Sequence, residues 1–291
     1  MLLQRSCKWA VCSSVLAIGF LVSQPVAFAD GITVSAAAGA AIGNQCDCQQ
    51  FLVTNSTSAV TVVPLNAALA INQFGISSGA AASASGEVQF GSITGALGAT
   101  SSESSSLFPP GVQLTNAAGS AEFDGTWVDE LTVTSNTLAA GEPVELAFLL
   151  SADLNLTCSD SGQASVSAVA SMTGSIFSAQ LSDQVCNSAF KQSQTLTVLT
   201  NVGATIPIQG QLNLVTSAAG LNELTVSSSI DPSAQVFIDS LTPGASYTTA
   251  SGTNYSSPAH VPEPSSLLLL GSELLALLGV SRVATRARKK I

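Results

Sequence analysis

The sequence predicts an all-β protein: an antiparallel β-sandwich or jelly roll, flanked by an N-terminal signal peptide and a C-terminal transmembrane helix. Three observations predict it. Apolar and polar residues alternate with period two through the middle of the 291-residue chain, the spacing that buries one face of a strand and wets the other. No stretch of that middle sustains the apolar repeat of an amphipathic helix, which disfavours α/β folds with cofactor-cradling crossovers. The long apolar runs, and all but one of the basic residues, lie at the two ends.

The first segment carries Arg5 and Lys8, then an apolar stretch from Trp9 to Val22, then Ala27-Phe28-Ala29 before Asp30. A basic start, an apolar core and small residues at the cut make residues 1–29 a secretory signal peptide, with export through the Sec machinery and a mature start at Asp30. The apolar stretch of 14 residues contains Cys12, Ser13 and Ser14, whereas a retained span needs about 20 apolar residues. Cys12 lies inside the apolar core and not at the cut, so no lipid anchor is expected at this end.

Residues 30–252 form the predicted sandwich. Val144 to Cys158 is its clearest strand: Val144, Leu146, Phe148, Leu150, Ala152, Leu154 and Leu156 alternate with residues such as Glu145, Ser151, Asp153 and Asn155. A second long alternation sets Ala121, Phe123, Trp127, Leu131 and Val133 against Glu122, Asp124, Thr126, Glu130, Thr132 and Thr134, with Asp129 as its one misfit. Shorter strands are expected at 32–38, 59–63, 87–92, 196–199, 205–208, 211–215, 224–227 and 236–241. Clusters such as Ala140-Gly141-Glu142-Pro143, Ser159-Asp160-Ser161-Gly162 and Asp231-Pro232-Ser233 read as turns, and residues 101–110 read as a loop or long insertion. Many short strands with regular turn signals predict a sandwich or jelly roll.

Charge excludes whole classes of partner. Between Asp30 and Val261 the chain has sixteen acidic residues and one base, Lys191. Such a body cannot neutralise phosphates, so nucleic acid and anionic lipid are not its ligands. Ala, Ser, Gly and Thr dominate its composition, which predicts thin core layers and few ion pairs. Four cysteines remain after signal removal, Cys46, Cys48, Cys158 and Cys186, an even number in a compartment where thiols are oxidised. A Cys46–Cys48 bridge closes a very tight ring; Cys158 with Cys186, or a cross-link of the early pair to the later two, is favoured. The 158–186 loop is worth roughly 3 to 4 kcal/mol. With no histidine nearby, Cys-x-Cys does not read as a metal site, and no metal or cofactor is expected.

Catalytic constellations are sparse. The sole histidine, His260, lies in the predicted stalk, residues 253–260, and a triad needs a rigidly held base. Neither a Gly-x-Ser-x-Gly elbow nor a phosphate-cradling Gly-rich loop occurs. Lys191 reads as a solvated lysine on a strand edge. Glu122, Asp124 and Glu130 share one polar strand face, where paired acids serve glycoside hydrolysis or calcium ligation; lacking a defining spacing, they read as a solvated acidic face. Trp127 falls beside Phe123 on the apolar face, leaving Tyr247 and Tyr255 and no row of aromatics on which a sugar would stack.

The tail, residues 261–291, opens with Val261-Pro262-Glu263-Pro264, continues through a Leu-rich span over about 265–283, and ends in Arg282, Arg286, Arg288, Lys289 and Lys290 before Ile291. The prolines keep the motif extended and short of amide donors, a strip that a processing enzyme can grip. The span is about 28 Å long as a helix, against a hydrocarbon core of about 30 Å, and the basic residues hold its end on the cytoplasmic side. Glu273 costs roughly 2.5 to 3.5 kcal/mol if ionised, and eight leucines return roughly 0.3 to 0.6 kcal/mol each. That near balance suits a temporary stop-transfer segment.

This tail resembles the PEP-CTERM sorting domain of Gram-negative bacteria, in the order and spacing of its Pro-Glu-Pro triplet, Leu-rich span with Gly271 and Gly279, and basic end. The resemblance covers about the last 31 residues, with Glu273 as a departure where small or apolar residues are usual. It implies recognition and cutting by an exosortase-type membrane protease, transient residence in the inner membrane, and delivery to the cell surface or extracellular matrix. The expectation is therefore an exported, non-enzymatic surface protein; a sandwich module that binds exopolysaccharide, or less favourably a hydrolase using acidic residues, is the alternative.

Overall fold

The computed structural model describes residues 31–43, 45–107, 115, 117–159, 164–220 and 224–256. The signal peptide with its cut at Ala27, Ala29 and Asp30, the motif Val261 to Pro264, the span 265–283, the basic end and His260 lie outside the described residues.

Thirteen strands and no helix make up the described chain: β1 (Gly31–Ile42), β2 (Gln45–Ser56), β3 (Val60–Gln73), β4 (Ile76–Gln89), β5 (Ser92–Ser105), β6 (Ala118–Ser135), β7 (Pro143–Cys158), β8 (Ala164–Gly174), β9 (Ser178–Asp183), β10 (Ser188–Asn201), β11 (Thr205–Ala219), β12 (Leu224–Ser240) and β13 (Ala245–Thr249). They form two antiparallel sheets, a sandwich-like fold. One runs β2-β1-β6-β11-β8-β9, with β13 added to β6, and the other β10-β7-β12-β5-β4-β3.

Alternation drives the layering. Every second residue of β7, from Val144 to Leu156, is buried, as the period-two pattern predicts. The two faces of the core differ in bulk. Ala36, Ala38 and Ala40 of β1 and Ala80, Ala82 and Ala84 of β4 line one region, and β7, β8, β11 and β12 fill another with Leu, Ile, Val, Phe and Met. In the first, a Cβ added at Gly119 would lie 2.2 Å from the Ala81 carbonyl oxygen, so the main chains themselves are in contact. Aromatic rings lie on glycines in the same way: Trp127 covers Gly210, its register partner on β11, and a Cβ there would meet the indole at 2.5 Å. A buried hydroxyl link, Thr216 Oγ1 to Ser228 Oγ at 2.6 Å, joins β11 to β12 across the two sheets.

Several elements differ from expectation. Residues 87–92 are not one strand: 87–89 end β4, Phe90-Gly91 is the turn, with Gly91 at φ 81°, and Ser92 opens β5. The segments 205–208 and 211–215 are one strand, β11, and 224–227 and 236–241 are one strand, β12. Asp231-Pro232-Ser233 lies inside β12 because the missing amide is accommodated locally: the β12 ladder to β5 skips from Ile230 to Ser233, whereas that to β7 continues through Pro232. Residues 101–105 finish β5, with Ser101, Glu103 and Ser105 turned inward. The sequence reading missed β2, β8, β9 and β13, β4 before residue 87 and β5 beyond Ser92; Ala, Ser and Gly supply too little polarity contrast in β4 for its alternation to show.

Cys158, at the end of β7, is bridged to Cys186, with Cα atoms 5.3 Å apart. This settles one expected pairing and overturns the cross-link of the early pair to the later two. Cys46 and Cys48 lie on β2, at the far edge of the other sheet.

Candidate functional site: the carboxy-terminal junction and the acidic face

Asp129, the misfit of the β6 alternation, is completely buried. Its Oδ1 accepts hydrogen bonds from the Glu130 amide at 2.8 Å and the Ser251 amide at 3.0 Å. Its Oδ2 accepts from Ser251 Oγ and, at 2.7 Å, from the Tyr255 hydroxyl. Four donors replace the water that the carboxylate loses on burial, and three of them come from the segment just after β13. Tyr255 is itself buried and stacks on Trp127 with ring centroids 5.4 Å apart. A Cβ on Gly91 would strike its ring at 2.8 Å, and its carbonyl accepts from the Ile238 amide at 2.8 Å. Burial, together with the hydrogen bond to Asp129 and that residue's charge, pushes the Tyr255 phenol far above its usual range. Tyr247, on β13, donates to the Ile238 carbonyl at 2.8 Å, and burial with the nearby charge of Asp239 pushes it up to about 12.

The folded body therefore extends through Tyr255. Residues 253–255, placed in the stalk by the sequence reading, belong to the folded body, and Tyr255 is the buried side chain that fixes them there. The signal available in the sequence was Asp129: a carboxylate on an apolar face requires donors, and Ser251 and Tyr255 supply them.

The acidic face is laid out along β6. Glu122, Asp124 and Glu130 point away from the core. Asp124 accepts from Gln211 Nε2 at 3.3 Å and from Thr126 Oγ1 at 3.4 Å. Partial burial raises its carboxyl above the ordinary carboxylate range, against the lowering effect of Gln211, Asn213 and Thr126. Glu122 is raised by burial and by the charge of Asp124. The three acids lie in line on an open sheet face, and two surface hollows are lined by other residues, Thr134 to Asn136 with Gly244 to Ser246, and Ser77, Ser102 to Ser104, Leu224 and Thr225. Among the described residues no three His, Cys, Asp or Glu side chains converge as a metal site.

Two further buried acids were not singled out in the sequence. Glu103 accepts from the Thr115 amide at 2.9 Å and from its hydroxyl. Asp183 accepts from the Val185 amide at 2.9 Å and from Ser188 Oγ; although burial raises its carboxyl, bonds from Ser188, Val185 and Gln184 prevail and hold it below the usual range. Both are inward acids near strand ends, beside serines that give the alternation no contrast. Trp127 is buried as expected. Lys191 is exposed on an edge strand, also as expected, but it is not solitary: its Nζ lies 3.7 Å from Asp153.

Among the described residues no helix is long and apolar enough to cross a membrane. No family model, no curated protein and no solved structure matches this chain.

Proposed function

We propose that this chain is an exported, non-enzymatic surface or extracellular-matrix protein whose tail holds it briefly in the inner membrane until a membrane protease of the exosortase type cuts near Pro262-Glu263-Pro264. The observation that carries this reading is the order of parts in the tail: an extended Pro-Glu-Pro strip, a Leu-rich span of marginal length, and Arg282, Arg286, Arg288, Lys289 and Lys290. The signal peptide over residues 1–29 sends the body outward through the Sec machinery, and the basic end keeps the last residues inside. The fold supports the reading at one point. The described hydrogen bonds and ring stacking that close the body are made by Ser251 and Tyr255, upstream of a cut at 261–264.

The carbohydrate-binding alternative gains no support from the described Trp and Tyr side chains. Trp127 and Tyr255 are buried, and Tyr247 has its hydroxyl turned to the main chain. Mass spectrometry of the protein recovered from its producing cells tests the proposal: the expected mature form starts at Asp30 and ends near Pro264. Recovery of a chain still ending at Ile291 from the extracellular fraction overturns it. Replacing Pro262, Glu263 and Pro264 together by alanine is expected to leave the protein in the membrane fraction.

A further inference from the structure

A strand at the edge of a sheet displays a row of N–H and C=O groups that another strand can pair with, and most proteins blunt such edges. Four of the five strands with a single ladder partner are blunted. β2 and β3 are joined side chain to main chain, the Ala68 amide donating to Asp47 Oδ2 and the Asn66 amide to Gln49 Oε1, both at 3.0 Å. β3 also contains Pro64 and a register shift between Val62 and Leu65. β9 has only 6 residues and β13 only 5. β10 has no proline, bulge or side-chain-to-main-chain tie of this kind: its link to β9 is the Ser188–Asp183 hydrogen bond at its first residue, and its one charged side chain is Lys191. It runs for 14 residues without proline or glycine and pairs in unbroken register with β7. Its second half, Thr195-Leu196-Thr197-Val198-Leu199-Thr200, is rich in β-formers, and Leu199 is 73% exposed.

We propose that β10 pairs antiparallel with the β10 of a second copy of this chain, joining two six-stranded sheets into one continuous sheet. Charge selects the occupant. Lys191, the only base between Asp30 and Val261, stands on this edge with 79% of its side chain exposed. A two-fold axis through Thr195 places Lys191 opposite the second copy's Leu199, since both lie four residues from the axis. Leu199 is the register partner of Glu145 on β7, and Lys191 that of Asp153. In the pair, each Lys191 therefore stands between its own Asp153 and the second copy's Glu145, and its methylene stem covers the exposed Leu199. The contact is self-complementary, as two-fold symmetry requires. The described part of every other edge strand lacks a base to set against the acids of a second copy. Pairing over residues 189–201 forms about a dozen main-chain hydrogen bonds.

The test is a cysteine at the axis. Directly opposed Cβ atoms of an antiparallel pair lie about 4.5 to 5.5 Å apart, within small adjustment of a disulfide. Full-length Thr195→Cys, produced in an exporting host and run without reductant, is expected to give a species of twice the chain mass that reductant abolishes. The parent chain and Ala70→Cys, on the exposed face of β3, are expected to give none. Adding Lys191→Glu to Thr195→Cys is expected to lower the dimer fraction at least fivefold, and further adding Glu145→Lys to restore it; both sites are exposed, so the fold tolerates them. A monomeric Thr195→Cys chain, an equal cross-link at position 70, indifference to Lys191→Glu, or a cross-linked species whose mass is that of a different partner each overturns the proposal. The readout is independent of tail processing, because the cross-link is scored in whichever fraction holds the protein.

Discussion

Replacing Asp129 by alanine takes the acceptor from one buried donor, the Tyr255 hydroxyl, and three part-buried ones, the Glu130 and Ser251 amides and the Ser251 hydroxyl. A buried donor without an acceptor costs about 1 to 3 kcal/mol. Against that, the mutation removes a desolvated charge, which returns part of the loss, and breaking buried charged networks in this way costs about 3 to 5 kcal/mol net. We expect Asp129→Ala to lose about 4 kcal/mol, or about 8 to 16 °C in Tm for a domain of this size. Asp129→Asn is expected to lose only about 1 to 2 kcal/mol. Its Oδ1 still accepts from both amides, and its Nδ2 donates to the two hydroxyls once these rotate their protons. Tyr255→Phe, which keeps the ring on Trp127 and loses one bond, is expected to cost about 1.5 to 3 kcal/mol. Thermal unfolding followed by circular dichroism measures the totals. Trp127 fluorescence and limited proteolysis at residues 249–256 report whether the junction opens before the rest. Loss of the same stability in the Asn and Ala variants, or less than about 0.5 kcal/mol in either, refutes the idea that Asp129 acts as a hydrogen-bond acceptor for the junction.

Three further outcomes follow from the same structure. Reducing Cys158–Cys186, or replacing both by serine, opens a loop with sequence separation 28 and is expected to cost about 3 to 4 kcal/mol by chain entropy, read as a fall in urea midpoint; no change in midpoint contradicts the bridge's structural role. Gly119→Ala forces a methyl against the Ala81 carbonyl oxygen, 2.2 Å from where its Cβ must sit, and is expected to cost about 3 kcal/mol; a neutral result shows that the sheets separate there freely. Glu122 and Asp124 have raised folded-state carboxyl pKa values, so the fold holds their protons more tightly than the unfolded chain does. Their effect on stability is least harmful in acid and grows as pH climbs through the gap between the ordinary and the raised value; Glu122→Gln is therefore expected to gain about 0.5 kcal/mol at pH 7 and nothing at pH 3, as measured by Tm across pH.

Particular residues show how far the chain can be read without its fold. The alternation of β7 and β6 was plain because Leu, Val and Phe stand against Glu, Asp and Thr. In β4, Gly-Ala-Ala-Ala-Ser-Ala-Ser-Gly carries the same inward and outward order, but a methyl and a hydroxymethyl differ too little in transfer free energy for that order to stand out. Pro232 read as a turn because a proline lacks the amide that a central strand needs; the interruption of the ladder to β5 is visible only once the neighbouring strand is in place. Asp129 was conspicuous as a misfit, yet its partners, Ser251 and Tyr255, are more than 120 residues away.

The amino-acid sequence by itself determined the fold class, the buried face of the long strands, the place of Trp127 in the core and the four cysteines available for pairing, since each depends on the local period of apolar residues or on composition. Only the tertiary structure decided which cysteines meet, where the body ends, how Asp129 is satisfied and which sheet edge stays open. Those four outcomes rest on contacts between strands far apart in the chain, and local spacing carries no information about which distant strand arrives alongside.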